Sequence, residues 1–299
     1  MPSQTNAAPL TIDHKPHARF FRESGWLMIA TIIAGAMSWG VHFLNKVIPE
    51  AEYSKFGVLL MVIACVPTIP LGMVFTQQTA AALAQERTRQ LAGKIQRAWV
   101  WTFVIWLIAA VGVAIFHEQI ENAWHLSNST GLYIAILAIL ASVLSPVFSG
   151  VLQGRQDFFW LGWSVITGGA LRIAGAAVLV MIFHMGATGM LAGALAGVAA
   201  AGLICVWRTR DLWGQTAEPF NARELFSQIL PLAFGFGACQ FLFTTDTMYA
   251  TPHFSGDAMK AYIAAGTLSR ALLWVVLPMA AVMFPKIVHS STKGEKNNL

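Results

Sequence analysis

Apolar residues in this chain run in long, nearly unbroken windows, without the regular polar face of a water-exposed amphipathic helix. A helix needs about 20 mostly apolar residues to cross a bilayer core. Windows of that kind occupy residues 25–45, 57–83, 98–116, 131–152, 159–183, 186–207, 226–246 and 261–285. The pattern predicts an all-α, polytopic membrane protein of about eight transmembrane helices. Six form a first lobe over 25–207, and two, over 226–285, open a second. A polar tail (1–24) precedes them, a polar linker (208–225) separates the lobes, and a polar tail (286–299) follows.

Some windows carry further structural marks. Pro67 and Pro70 predict a kink or local opening in the second span. Gly189, Gly193 and Gly197 recur every four residues in the sixth, a ridge that lets another helix approach closely. Polar or small residues form stripes at helical spacing in three spans. The first has Thr31, Gly35, Ser38 and His42, and the second Thr68, Gly72, Thr76 and Thr79, with Gln77 and Gln78 beside them. The fourth has Ser142, Ser145, Ser149 and Gln153. Each stripe reads either as close packing, with hydroxyls bonded to their own backbone, or as the lining of a water-filled cavity. Three stripes in one lobe, with glutamines toward one end, tilt the reading toward a cavity. A weak internal repeat pairs Ile69-Pro70-Leu71 with Leu277-Pro278-Met279.

Composition agrees with the pattern: 56% of the 299 residues are hydrophobic and 11% charged, whereas soluble domains carry about 25% charged residues. The net charge of +5 does not indicate nucleic acid once its distribution is seen. Lys15, Arg19, Arg22, Arg87, Arg89, Lys94, Arg97, Arg155, Arg208, Arg210, Arg223, Lys286, Lys293 and Lys296 fall on one face; Lys46, Lys55 and Lys260 fall on the other. The positive-inside rule then predicts both termini in the cytoplasm, with the chain in the plasma (inner) membrane. Trp26, Trp99, Trp101, Trp160, Trp163 and Trp207 sit near span ends, where an amphipathic ring suits the headgroup layer. Cys65, Cys205 and Cys239 lie in apolar runs with no ligand spacing, so no disulfide is inferred.

Two charges remain inside the windows, Arg172 and Arg270. An arginine at mid-bilayer costs roughly 2.5–3.5 kcal/mol on insertion scales, and so faces a cavity, a partner or a ligand, or else snorkels. The one acid within a span is Asp246, near the outer end of the seventh. It cannot neutralise both arginines, which leaves the interior with excess positive charge. His117, Glu121 and His125 share a helical face, but an interfacial helix accounts for them more simply than a metal site, and no metal is expected. No nucleotide-binding motif or nucleophile–base arrangement is visible, so neither a cofactor nor an enzymatic activity is expected.

Several segments resemble the polysaccharide and lipid-linked oligosaccharide flippases of the multidrug/oligosaccharidyl-lipid/polysaccharide exporter superfamily. They are Gly150-Val151-Leu152-Gln153-Gly154-Arg155-Gln156-Asp157-Phe158, Glu52-Tyr53 with Phe56-Gly57, and Thr245-Asp246. Ala261-Tyr262-Ile263-Ala264-Ala265, Leu268-Ser269-Arg270, Leu277-Pro278 and Phe284-Pro285-Lys286 complete the set, which covers nearly the whole chain. The resemblance implies a two-lobed transporter that flips a lipid-linked sugar across the bilayer by alternating access, in a pathway shared with a polymerase and glycosyltransferases. It also implies that Arg270, then Arg172, holds the lipid phosphate and that Asp246 is a coupling or structural acid; Gln78, Ser149 and Gln153, taken from the stripes, are expected to line the same cavity. Thr251 stands where a basic residue often follows that acid, and the chain ends after its eighth span, so it reads as a C-terminally truncated member.

Two rival functions follow. A cation-coupled multidrug exporter of the same superfamily would need intramembrane carboxylates, and the first span has none between Glu23 and Glu50. A membrane-embedded glycosyl- or acyltransferase would need catalytic groups in outer loops, where only His117, Glu118 and Glu121 could serve.

Overall fold

The computed structural model describes residues 15–49, most of 56–124, 129–220 and scattered positions from 223 to 242. Every regular element among them is helical. The helices are α1 (Lys15–Gly40, continued by a 3-10 turn, Val41–Lys46), α2 (Thr68–Ala84), α3 (Thr88–Ile115), α4 (His117–Trp124), α5 (Thr130–Gly154), α6 (Phe158–Met181), α7 (Gly186–Arg208) and α8 (Arg210–Trp213). Five segments are long and apolar enough to cross a membrane: Gly25–Leu44, and the whole of α3, α5, α6 and α7. The chain is a polytopic helical membrane protein, as the apolar windows require. The described positions between 223 and 242 are helical too. The rest of the seventh predicted span and all of the eighth lie outside the described residues.

The second span departs from a simple helix where the prolines stand. Helical positions between Phe56 and Ile63 give way to a bend at Val66, whose N–H donates to the Ile63 carbonyl, and α2 starts afresh at Thr68. Pro70 thus falls in the first turn of α2, where a missing N–H costs nothing. The third span is longer than predicted. The window at 98–116 begins where continuous apolarity begins, but α3 starts ten residues earlier at Thr88. Its first turns alternate buried Leu91, Ala92 and Ile95 with exposed Arg89 and Arg97, a sided pattern that a search for unbroken apolarity passes over.

Two turns at the same end of the bundle share one construction. Glu86 after α2 and Gln156 after α5 take left-handed backbone at φ 58° and 60°. In each turn the next residue's N–H reaches back five residues, Arg87 to Ala82 and Asp157 to Leu152. That is the Schellman closure, which caps the last carbonyls of a helix and lets the chain reverse in three residues.

Small residues set the packing. A Cβ on Gly193 would lie 2.5 Å from the Ala176 nitrogen, and one on Gly197 would lie 2.5 Å from the Gly168 carbonyl, so α6 and α7 touch backbone to backbone. Between α2 and α5 the same device recurs: a Cβ on Gly150 would meet the Gly72 carbonyl at 2.5 Å, and one on Gly154 the Thr76 carbonyl at 2.6 Å. On the other side of α6, Gly162 receives the Trp26 indole and Gly169 faces the backbone of Ala34 in α1. The apolar core divides into two clusters. One, near the paired turns, holds Leu27, Phe75, Ile95, Phe148, Phe158 and Cys205; the other holds Val41, Phe56, Leu132, Ala176, Val180 and Met190. By contrast, α3 beyond Ala98 turns Ile105, Ile108, Val111 and Ile115 outward, as a lipid-facing helix must.

Residues of the predicted polar linker pack against the bundle. The Glu218 N–H donates to the Arg89 carbonyl, the Gln96 amide to the Trp213 carbonyl and the Thr88 hydroxyl to Gln215.

Gly193→Ala and Gly197→Ala are each expected to lower the thermal unfolding temperature in detergent, at a cost of about 1–3 kcal/mol from overpacking against backbone that cannot move aside. Gly112→Ala, at a glycine of α3 with nothing within 4 Å of its Cβ position, is expected to be neutral or stabilising by up to about 1 kcal/mol. Equal effects at all three positions would contradict the packing described.

Candidate functional site

The polar stripes on α2 and α5 face each other. Thr76 and Thr79 are fully buried, and the Thr76 hydroxyl donates to the Gly72 carbonyl at 2.8 Å and to Gln153 Oε1 at 3.3 Å. Ser149 turns back toward the Pro146 carbonyl at 3.4 Å, and Ser142 is buried. Gln78 accepts from the ammonium of Lys94 in α3. Of the expected site residues, then, Gln78 and Gln153 come together at the end of the bundle that carries the paired turns. They form part of a polar contact joining α2, α3 and α5. Here the Thr76 hydroxyl and the Gln78 and Gln153 amides are taken up in contacts between helices, while the buried Thr79 hydroxyl has no hydrogen-bond partner among the described residues. Lys94 belongs to this group, although the sequence presents it only as one basic residue of a loop. In α1, Thr31 likewise bonds its own backbone, at the Leu27 carbonyl.

Arg172 is placed differently. It lies about 21 Å from the start of α6 and about 14 Å from its end, so at mid-depth. Along α6 it falls between Leu161 of one apolar cluster and Ala176 of the other. Gly197 of α7 makes room for its stem: a Cβ there would approach the Arg172 Cβ to 2.8 Å. The Arg172 Nε is buried and has no hydrogen-bond partner among the described residues. The ion pairs there, Arg155–Asp211 at 2.7 Å and Arg208–Asp157 at 3.0 Å, both belong to the basic end. His42, at the end of α1, is close enough for the Arg172 charge to act on it. No Asp or Glu occurs in the five apolar spans. Among the described residues, the first lobe therefore holds the Arg172 cation inside the membrane, with no Asp or Glu in the five apolar spans to balance it and with His42 near enough to feel its charge. The signal for His42 in the sequence is its place at the foot of the α1 stripe; nothing there shows that it meets Arg172. Arg270 and Asp246 lie outside the described residues, as does His125.

The basic end is dense with rings and charges. Asp157 caps α6, accepting from the Trp160 N–H at 3.4 Å, and also holds Arg208. The Trp26 indole N–H donates to the Phe159 carbonyl at 3.1 Å, and Trp160 packs edge-on against Trp207 with centroids 5.5 Å apart. The other end of the bundle carries α4, where His117 Nδ1 lies 2.9 Å from the Ala114 carbonyl. No three potential metal ligands gather among the described residues.

No protein-family model matches the chain, and no curated protein matches its sequence. Solved structures do match in fold. A MATE transporter in complex with MaD3S superposes with a TM-score of 0.76 at 12% identity, over 92% of this chain and 66% of that one. An outward-facing multidrug resistance MATE family transporter of the MOP superfamily gives 0.73 at 13% identity, over 92% and 64%. A MOP superfamily transporter from Pyrococcus furiosus, described as having a binding pocket of reverse polarity that suggests a different function, gives 0.70 at 12% identity, over 92% and 64%. The chain thus spans about two-thirds of the length of these proteins, and its fold is that of the MATE transporters of the MOP superfamily.

Proposed function

We propose that this chain is a membrane transporter, or the greater part of one, that carries an anionic substrate by alternating access. The observation that carries this reading is the mid-depth Arg172, whose buried Nε has no hydrogen-bond partner among the described residues and which meets no carboxylate in the five apolar spans. A guanidinium at that depth with no carboxylate beside it costs several kcal/mol, and a fold retains it most economically where an anion arrives to neutralise it. A lipid pyrophosphate bearing a sugar is the substrate class that the sequence resemblance suggests, and guanidinium suits phosphate through its paired N–H donors. The fold relative described as having a pocket of reverse polarity supports the idea that this architecture accommodates a change of sign.

A second reading, export of cationic drugs, is favoured by the fold likeness to multidrug resistance transporters. It requires a carboxylate to exchange a proton or Na⁺ against the drug. The five apolar spans supply none, so that reading would rest on residues outside them.

Two outcomes are expected. In the purified full chain, Arg172→Leu raises thermal stability by roughly 1–3 kcal/mol, because it removes a mid-depth charge whose buried Nε has no partner among the described residues. In a fluorescence titration, a short polyprenyl pyrophosphate binds the native chain but binds Arg172→Gln about tenfold or more weakly, while tetraphenylphosphonium binds neither. Saturable tetraphenylphosphonium binding that tightens in Arg172→Gln would replace this proposal with the drug-export reading.

A further inference from the structure

At the basic end, Arg155, Trp207, Arg208, Arg210 and Asp211 line a surface depression of about 290 Å³, ample for a phosphate and its ester substituents. Two of its arginines are anchored by carboxylates: Arg155 by Asp211 and Arg208 by Asp157. Each pair fixes a guanidinium in place and leaves part of its five-donor fork free. Arg210 has no acidic partner among the described residues; its guanidinium lies 5.6 Å from the Trp207 ring centroid. Arg208 lies over Trp160 in the same way, at 5.7 Å. Counting Asp157 with the lining, the three arginines outnumber the two carboxylates, so the depression is net positive.

Its depth and surroundings identify the anion. α7 ends at Arg208, so the depression sits where the span leaves the hydrocarbon, at the level of the Trp160 and Trp207 rings. Below it, on the same face of α7 and four residues before Trp207, Leu203 is 68% exposed. Trp163 and Phe159 of α6 are exposed as well. An apolar track thus runs from the bilayer up to a ring of guanidinium groups. We propose that this depression is a binding site for the phosphate of an anionic phospholipid, with the headgroup on Arg210, Arg208 and Arg155 and an acyl chain along Leu203 and Trp207. Basic pockets between transmembrane helices at the headgroup level take such lipids. The site is separate from Arg172 and does not depend on the transport reading.

The test is lipid titration of the purified full chain by native mass spectrometry, with phosphatidylglycerol and phosphatidylcholine as probes. The native chain is expected to retain phosphatidylglycerol preferentially. Arg210→Gln should weaken that retention about fivefold, the worth of one basic residue near an anionic surface, without lowering thermal stability in detergent alone. Arg97→Gln removes an exposed charge of α3 that does not line the depression, and should change nothing. Equal losses in the two variants would mean diffuse surface attraction and overturn the site. Retention unaffected by Arg210→Gln would overturn it too. Displacement of the lipid by millimolar inorganic phosphate, with that phosphate alone stabilising the chain, would show a free-anion site and overturn the assignment to lipid.

Discussion

Within a bilayer the hydrophobic effect does not press helices together, because lipid tails are as apolar as leucine; what remains is close contact. In this chain that contact is made by glycine against backbone. Gly193 and Gly197 bring α7 onto α6, Gly150 and Gly154 bring α5 onto α2, and Gly162 and Gly169 bring α6 onto α1. α6 is gripped on two sides. Its mid-depth arginine therefore cannot be carried toward water by a shift of the helix, and its stem occupies the space that Gly197 leaves open. The packing that holds the bundle together also holds its most expensive charge in place.

Charge is sorted along the membrane normal to match. The end with the Schellman turns collects arginines, the carboxylates that hold them and a girdle of tryptophans, so each charge meets water, a partner or a ring. The five apolar spans among the described residues carry Arg172 and His42 without a carboxylate. At the basic end carboxylates hold two of the arginines, Arg155 by Asp211 and Arg208 by Asp157, whereas Arg172 stands in the apolar spans without one.

How far the chain could be read before its fold was known depends on the range of each signal. The Gly189–Gly193–Gly197 ridge was legible because small residues at every fourth position occur on one face of one helix, and a ridge of that kind packs against a neighbour whichever it is. Arg172 was legible as an anomaly for a similarly local reason: one charge in an apolar run. The stripes on α2 and α5 were legible as stripes, but packing and cavity lining need the same residues at the same spacing. Only the arrival of Gly150 and Gly154 against Gly72 and Thr76 showed that these two stripes pack on each other. The early start of α3 was hidden because its first turns are buried by residues 213–220, which the sequence presents as a polar linker.

By itself, then, the sequence determined that this is a helical membrane protein, where most of its spans run, which face of α7 would meet a partner and that a cation lies at mid-depth. These follow from interactions within one helix or between one helix and lipid. Only the tertiary structure decided that His42 comes within reach of the Arg172 charge, that Gln78 finds Lys94 and that Arg155, Arg208 and Arg210 converge beside Trp207. Those neighbours come from different helices, and which helices touch is settled by the sum of many weak packing contacts that no single segment encodes.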